Sequence, residues 1–169
     1  IYTQDIKLPN MLTALVAHAP LFGAKVKSVD ATAAKAIAGV VEVVQIPAGV
    51  AVLAKDFWSA KKGRDALQIV WDESQGYKFN TAEQLSRYQK MAEEPGTETT
   101  KSGSIKAALK EAAKVVKASY TFPYLAHAAM EPMNCVVQLT DQGCEIWNGA
   151  QLQTVDQLSV AKELGIAPE

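Results

Sequence analysis

The sequence contains little cysteine and little histidine. Its 169 residues include two cysteines and two histidines, and no Cys-x-x-Cys pair. An iron–sulfur cluster needs about four thiolates, and a structural zinc site needs about four Cys or His ligands, so neither is expected from these side chains alone. A disulfide between Cys135 and Cys144 would require paired strands that place them side by side, and free thiols are the expected alternative.

An excess of basic charge and a long apolar run are also missing. The 17 Lys and Arg residues are offset by 18 Asp and Glu residues, for a net charge of −1. The basic residues form no stripe with aromatic partners, so nucleic acid is not an expected ligand. No apolar run approaches the ~18 residues of a membrane span, and the amino end lacks the pattern of a secretory signal. Because the sequence starts at Ile1 rather than Met, we expect a fragment of a longer protein.

The apolar fraction of 49% is sufficient for a buried core. Residues 1–75 alternate strand and helix patterns, and this order predicts a compact α+β domain. The predicted strands cover 11–17, 24–30, 40–46, 50–54 and 67–71, and the predicted helices cover 31–35 and 57–65, the second capped by Asp56.

Two further regions follow. Residues 76–114 are predicted to be a helical and loop connector, with one helix opened by the capping box Thr81–Gln84 and another capped by Ser104. Residues 115–169 predict a small strand, hairpin and helix segment. Its expected elements are a strand over 116–122, a hairpin of 135–139 with 144–147, and a helix from the capping box Thr154–Gln157 that buries Val155, Leu158 and Leu164 and ends at Gly165.

The stretch YLAHAAMEPMNC is the densest group of possible ligands. His127 and Glu131 are four residues apart, which would place them on one face of a helix, but a zinc site needs three or four ligands. Met130 and Met133 are too few for a thioether copper site. The simpler interpretation is an irregular segment before a strand, with a hydrogen-bonded histidine and methionines that fill a core. No nucleophile elbow and no phosphate-binding glycine loop occurs.

Two blocks of sequence carry a family resemblance. The first is MLTALVAHAPLFGAKVKSVDATAAKAIAGVVEVV with GVAVLAKDFWSAKKGRDALQIVWD, which is similar to the aldehyde oxidase/xanthine dehydrogenase a/b hammerhead domain. The second is YLAHAAMEPMNCVVQL with CEIWNGAQLQTVDQLSVAKELGI, which is similar to the start of the molybdopterin-binding domain. In this order they resemble the large subunit of the xanthine oxidase and aldehyde oxidase family, of the isoquinoline 1-oxidoreductase beta-subunit and membrane-associated aldehyde dehydrogenase type.

The resemblance implies a parent enzyme that oxidises an aldehyde or an N-heterocycle with water as the oxygen source. It implies molybdopterin, in its cytosine dinucleotide form, as the cofactor of the full-length protein. The implied partners are the rest of the large subunit, a small [2Fe-2S] subunit and the substrate. The implied location is periplasmic or membrane-associated, with the cytoplasm left open.

The resemblance also implies roles for single residues. Gln151 falls where the family has a glutamine near an oxo ligand of the molybdenum, and Ala150 stands where the family has threonine. His127 and Glu131, followed by Pro132, match a motif that frames the cofactor domain. The catalytic base is expected C-terminal to this chain, so no catalytic residue, no metal ligand and no bound cofactor are expected here.

Two alternatives remain open from the sequence. The chain could be a non-enzymatic α+β binding or interaction module of shared ancestry, or a small metal protein that uses His127, Glu131 and the methionines. The first alternative predicts that the gene stops near Glu169. The second predicts stoichiometric metal in the purified chain.

Overall fold

The computed structural model describes residues 2–168 and divides into two units. One unit is Met11–Ala118, and the other combines the residues before it with those from Ser119 onward. None of the described helices is long and apolar enough to cross a bilayer. The domain boundaries expected from the sequence at 75 and 114 stay predictions.

The unit Met11–Ala118 contains five strands and four helices. They are β1 (Thr13–His18), β2 (Lys25–Asp30), α1 (Thr32–Lys35), β3 (Val40–Ile46), β4 (Gly49–Ala54), α2 (Phe57–Asp65), β5 (Gln68–Asp72), α3 (Thr81–Met91) and α4 (Ile105–Glu111). Strands β1, β4 and β3 form an antiparallel sheet with β4 in the centre, and β2 pairs antiparallel with β5. Every strand and helix predicted in this part of the sequence is present, and the α+β class is confirmed.

The core of this unit lies between β4 and the helices α1 and α2. Val50 and Val52 on β4 are fully buried, as are Ala34 on α1 and Ala60 on α2. Helix α2 approaches the sheet closely because Gly63 has no side chain. A Cβ atom there would lie 2.8 Å from Val52 Cγ1 and 2.9 Å from Val40 Cγ2.

Side chains cap helices α2, α3 and α4 of this unit, and the cap of α3 differs from the prediction. Asp56 Oδ1 accepts a hydrogen bond from Ser59 N at 2.9 Å, so the predicted cap of α2 forms. The capping box of α3 is formed by Asn80 and Glu83, one residue earlier than the predicted Thr81–Gln84. The prediction was wrong because Asn80 keeps the extended backbone that a cap requires, whereas Thr81 is already helical.

The second unit contains an antiparallel hairpin and a helix, as predicted. Its elements are β6 (Cys135–Thr140), β7 (Gly143–Asn148) and α5 (Gln153–Leu164). Gly165 ends α5 in the left-handed conformation with φ 67°, and Ile166 N donates to Ala161 O at 3.0 Å. This is the glycine termination expected from the sequence.

The start of α5 differs from the predicted capping box Thr154–Gln157. The N-cap residue is Leu152, which offers no side-chain hydrogen bond. Instead, Asn148 Nδ2 at the end of β7 donates to Asp156 Oδ2 in the first turn at 3.3 Å. The box fails because the helix already begins at Gln153, so Thr154 lies inside its first turn.

The predicted buried face of α5 is wrong. Val155 and Leu158 are each 54% exposed and Leu164 is 38% exposed. The buried residue of this helix is Ala161. The apolar periodicity is real, but no other described element covers these three side chains.

The strand predicted over 116–122 does not form. Residues 112–134 contain no helix or strand, although they include the alternating apolar residues of the prediction. Val116, Tyr120 and Phe122 are 78–82% exposed. Among the described residues no strand pairs with this segment, so its backbone has no ladder of hydrogen bonds to join.

The two cysteines are free thiols, as expected. Their strands are paired, but Cys135 lies opposite Asn148 and Cys144 lies opposite Leu139. The cysteines are thus four register positions apart, or about 13 Å along the hairpin. A disulfide requires Cα atoms within about 7 Å.

Substitution of Gly63 by alanine is expected to destabilise the unit Met11–Ala118. The added methyl group would collide with the Val52 and Val40 side chains, and overpacking of this kind costs about 1–3 kcal/mol. That cost exceeds the gain of about 1 kcal/mol from the better helix propensity of alanine. Urea unfolding followed by tryptophan fluorescence measures the difference.

Gly96→Ala is the control, because a Cβ there meets no atom within 4 Å. Equal urea midpoints for Gly63→Ala and Gly96→Ala would contradict the packing argument.

The cap of α2 is expected to make stability depend on pH. Hydrogen bonds from the Ser59 backbone and hydroxyl lower the pKa of Asp56 in the folded chain. Because folding lowers the pKa, the ionised Asp56 stabilises the fold at pH values above its unfolded-state pKa of about 3.9. This contribution is lost as the pH falls through the folded-state pKa. The urea midpoint of Asp56→Ala should therefore lie below wild type at pH 7 and approach it in acid. Asp56→Asn is the control, because it keeps a hydrogen-bond acceptor that does not ionise. This account would be refuted if the urea midpoint of wild type exceeded that of Asp56→Asn by the same amount at pH 7 and in acid.

Candidate functional site

The register of the hairpin brings the sequence-predicted site segments to one end of the second unit. Cys135 at the start of β6 lies opposite Asn148 at the end of β7. The segments before β6 and after β7 therefore meet the hairpin at its open end. Glu131 is four residues before Cys135, and Gln151 is three residues after Asn148.

Gln151 lies in the bend between β7 and α5, and its side chain is exposed. The backbone on both sides is held in place, because Gln153 Nε2 donates to Ala150 O at 3.0 Å and Asn148 bonds to Asp156. Within residues 2–168 the Gln151 amide itself makes no hydrogen bond. Its N–H groups are available to donate to an acceptor on a ligand.

Glu131 is half-buried and already engaged in hydrogen bonds. Its Oε1 accepts from Thr3 N at 2.8 Å and from Asn134 Nδ2 at 3.4 Å. Asn134 Nδ2 also donates to Pro132 O at 2.6 Å. The carboxylate therefore links the short 3₁₀ helix Thr3–Asp5 to the turn that precedes β6.

His127 and the methionines are exposed. His127 makes no hydrogen bond among the described residues, and Met130 and Met133 are 97% and 103% exposed. The expectation of a hydrogen-bonded histidine and core methionines was therefore wrong. Ala128 has a left-handed backbone with φ 49°, so the stretch is not a helix and the spacing from His127 to Glu131 does not place them on a helix face.

No metal centre is formed by the described side chains. They contain no group of three or more His, Cys, Asp and Glu residues placed to hold an ion.

The contribution of Thr3 has no signal in the sequence. It lies 128 residues from Glu131 along the chain, and its donor is a backbone N–H that every residue except proline carries. Asn134 has a detectable signal, since asparagine side chains commonly bond to nearby backbone groups. Asn134 lies within the stretch YLAHAAMEPMNC, whereas Thr3 lies outside it.

Residues 88–169 match the family model of the molybdopterin cofactor-binding domain. The chain is 27% identical over 178 aligned residues to the isoquinoline 1-oxidoreductase subunit beta of Brevundimonas diminuta, covering 99% of this chain and 23% of that protein. The predicted resemblance is confirmed. A membrane-bound aldehyde dehydrogenase [pyrroloquinoline-quinone] of Gluconacetobacter polyoxogenes is 28% identical, over 98% of this chain and 23% of that protein.

A solved structure shows the same fold. The crystal structure of quinoline 2-oxidoreductase from Pseudomonas putida 86 superposes with a TM-score of 0.69 at 18% identity, over 99% of this chain and 27% of that chain. The chain thus spans about a quarter of the length of the proteins that it resembles.

The absence of a ligand group predicts that the purified chain carries no stoichiometric metal. After equilibration with zinc or copper and removal of free ions, mass-spectrometric metal analysis should find far less than one ion per chain. His127→Ala should leave that content unchanged. One equivalent of metal that is lost in the His127→Ala variant would instead support the small metal protein.

Proposed function

We propose that this chain is a segment of the large subunit of a molybdenum-dependent hydroxylase. The observation that carries the proposal is the match of residues 88–169 to the molybdopterin cofactor-binding domain. The relatives of similar sequence are named for oxidation of an N-heterocycle or an aldehyde. The proposed substrate class is therefore an aldehyde or an N-heterocycle, hydroxylated with oxygen from water.

The residues at the open end of the hairpin fit the edge of a cofactor site. Gln151 offers an exposed amide that lacks a partner among the described residues, on a backbone fixed from both sides. It would donate a hydrogen bond to an acceptor atom of the cofactor. Glu131 and His127 would frame the segment, since Glu131 is engaged by Thr3 and His127 is exposed.

Molybdopterin, when bound, supplies the redox chemistry, and the protein supplies orientation and hydrogen bonds. We assign it the cytosine dinucleotide form. One carboxylate oxygen of Glu131 already accepts from a backbone N–H and an amide, which supports a base located elsewhere in the large subunit. The remaining partners in the proposal are the rest of that subunit and a small [2Fe-2S] subunit.

Removal of the Gln151 amide is expected to slow turnover of the full-length, cofactor-loaded enzyme. Loss of one positioned donor in an active site typically lowers kcat by about a hundredfold, and about tenfold is the smallest effect expected here. Steady-state kinetics of Gln151→Ala with an aldehyde and an N-heterocycle measure it.

Gln142→Ala is the matched control. Gln142 lies in the turn at the opposite end of the same hairpin and is exposed. Its variant should turn over within about twofold of wild type. Equal kcat values for the Gln151 and Gln142 variants would remove Gln151 from the site. A gene that stops near Glu169, with no oxidoreductase activity in its product, would favour the non-enzymatic module of shared ancestry.

A further inference from the structure

We propose that the Glu131 carboxylate stabilises the N-terminal 3₁₀ helix Thr3–Asp5 by holding it against the segment leading into β6. Its carboxylate bonds Thr3 N at 2.8 Å, across 128 residues of sequence. Thr3 is only 9% exposed and Glu131 is half-buried, so this bond is shielded from water. A hydrogen bond to a charged acceptor is stronger when it is withdrawn from solvent.

The N-terminal residues form a defined turn that can be held by one contact. Asp5 N donates to Tyr2 O at 2.9 Å, Ile6 N donates to Thr3 O at 3.1 Å, and Tyr2 N donates to Asp5 Oδ2 at 2.9 Å. A turn of three helical residues is too short to be stable by itself in water. Its persistence therefore depends on contacts outside the turn, and the bond to Glu131 is one of these contacts.

The other side of the contact is a segment without regular structure. Glu131 Oε1 also accepts from Asn134 Nδ2, which donates in turn to Pro132 O, so a single carboxylate oxygen connects three points of the chain. Ala128, three residues before Glu131, has the left-handed φ of 49° that alanine rarely adopts. An unfavourable backbone of this kind persists only where the surrounding contacts fix it. Glu131 makes its hydrogen bonds three residues after this position.

Amide hydrogen exchange by NMR on the complete 169-residue chain tests this role. Two variants break the bond from opposite sides. Glu131→Ala removes the acceptor, and Thr3→Pro removes the donor. Proline suits the first position of a helical turn, and the extended backbone of Tyr2 (ψ 160°) is the conformation favoured before proline. Both variants should speed exchange of the Asp5 and Ile6 amides by about tenfold or more.

Two conservative variants are the matched controls. Glu131→Gln keeps an oxygen that can accept from Thr3 N, and Thr3→Ala keeps the N–H. Both should keep Asp5 and Ile6 exchange within about threefold of wild type. The ladder amides of β6 and β7 should exchange at wild-type rates in all four variants, which verifies that the hairpin is folded.

The double variant Glu131→Ala with Thr3→Pro distinguishes a direct bond from two separate effects. A direct bond predicts that the double variant exchanges no faster than either single variant. The proposal would be overturned if the double variant exchanged faster by the product of the two single effects. It would also be overturned if exchange were unchanged in Glu131→Ala, or if it were as fast in Glu131→Gln as in Glu131→Ala. Since the readout needs no cofactor, its failure is distinguishable from failure of the proposed function.

Discussion

The antiparallel register of the hairpin β6–β7 is the constraint that locates the candidate site. Because Cys135 pairs with Asn148, the chain approaches and leaves the hairpin at the same end. Backbone hydrogen bonds fix this register, and a slip by one residue would turn every side chain of the strand to the other face. The segment that carries Glu131 and the bend that carries Gln151 therefore share one end of the unit.

Glu131 illustrates how a residue in a motif can have a role that its chemistry does not suggest. A carboxylate near a histidine first suggests a ligand or a base. Its hydrogen-bond partners are the backbone N–H of Thr3 and the amide of Asn134. Gln151 has the opposite character, since its amide makes no bond among the described residues. The motif contains a structural contact, and the amide that has no partner among the described residues lies beyond it.

Local patterns predicted most of the elements because their signals are local. The β-branched runs of β3 and β4, the Asp56 cap and the glycine after α5 each depend on residues a few positions apart. Errors arose where a nearby residue competed. Asn80 took the cap position from Thr81, and the first turn of α5 enclosed Thr154. The strand expected over 116–122 failed because a strand needs a partner, and an alternating pattern does not provide one.

The α+β class, the hairpin, the low ligand count of YLAHAAMEPMNC and the family resemblance all follow from the amino-acid sequence, since composition, spacing and motif order carry these. Which side chains are engaged depends instead on contacts between residues far apart in the chain. Thr3 meets Glu131 across 128 residues through a backbone N–H, a group that no residue type specifies. Exposure of the methionines and of the apolar face of α5 was likewise decided by which elements pack together, because periodicity identifies an apolar face without identifying its cover.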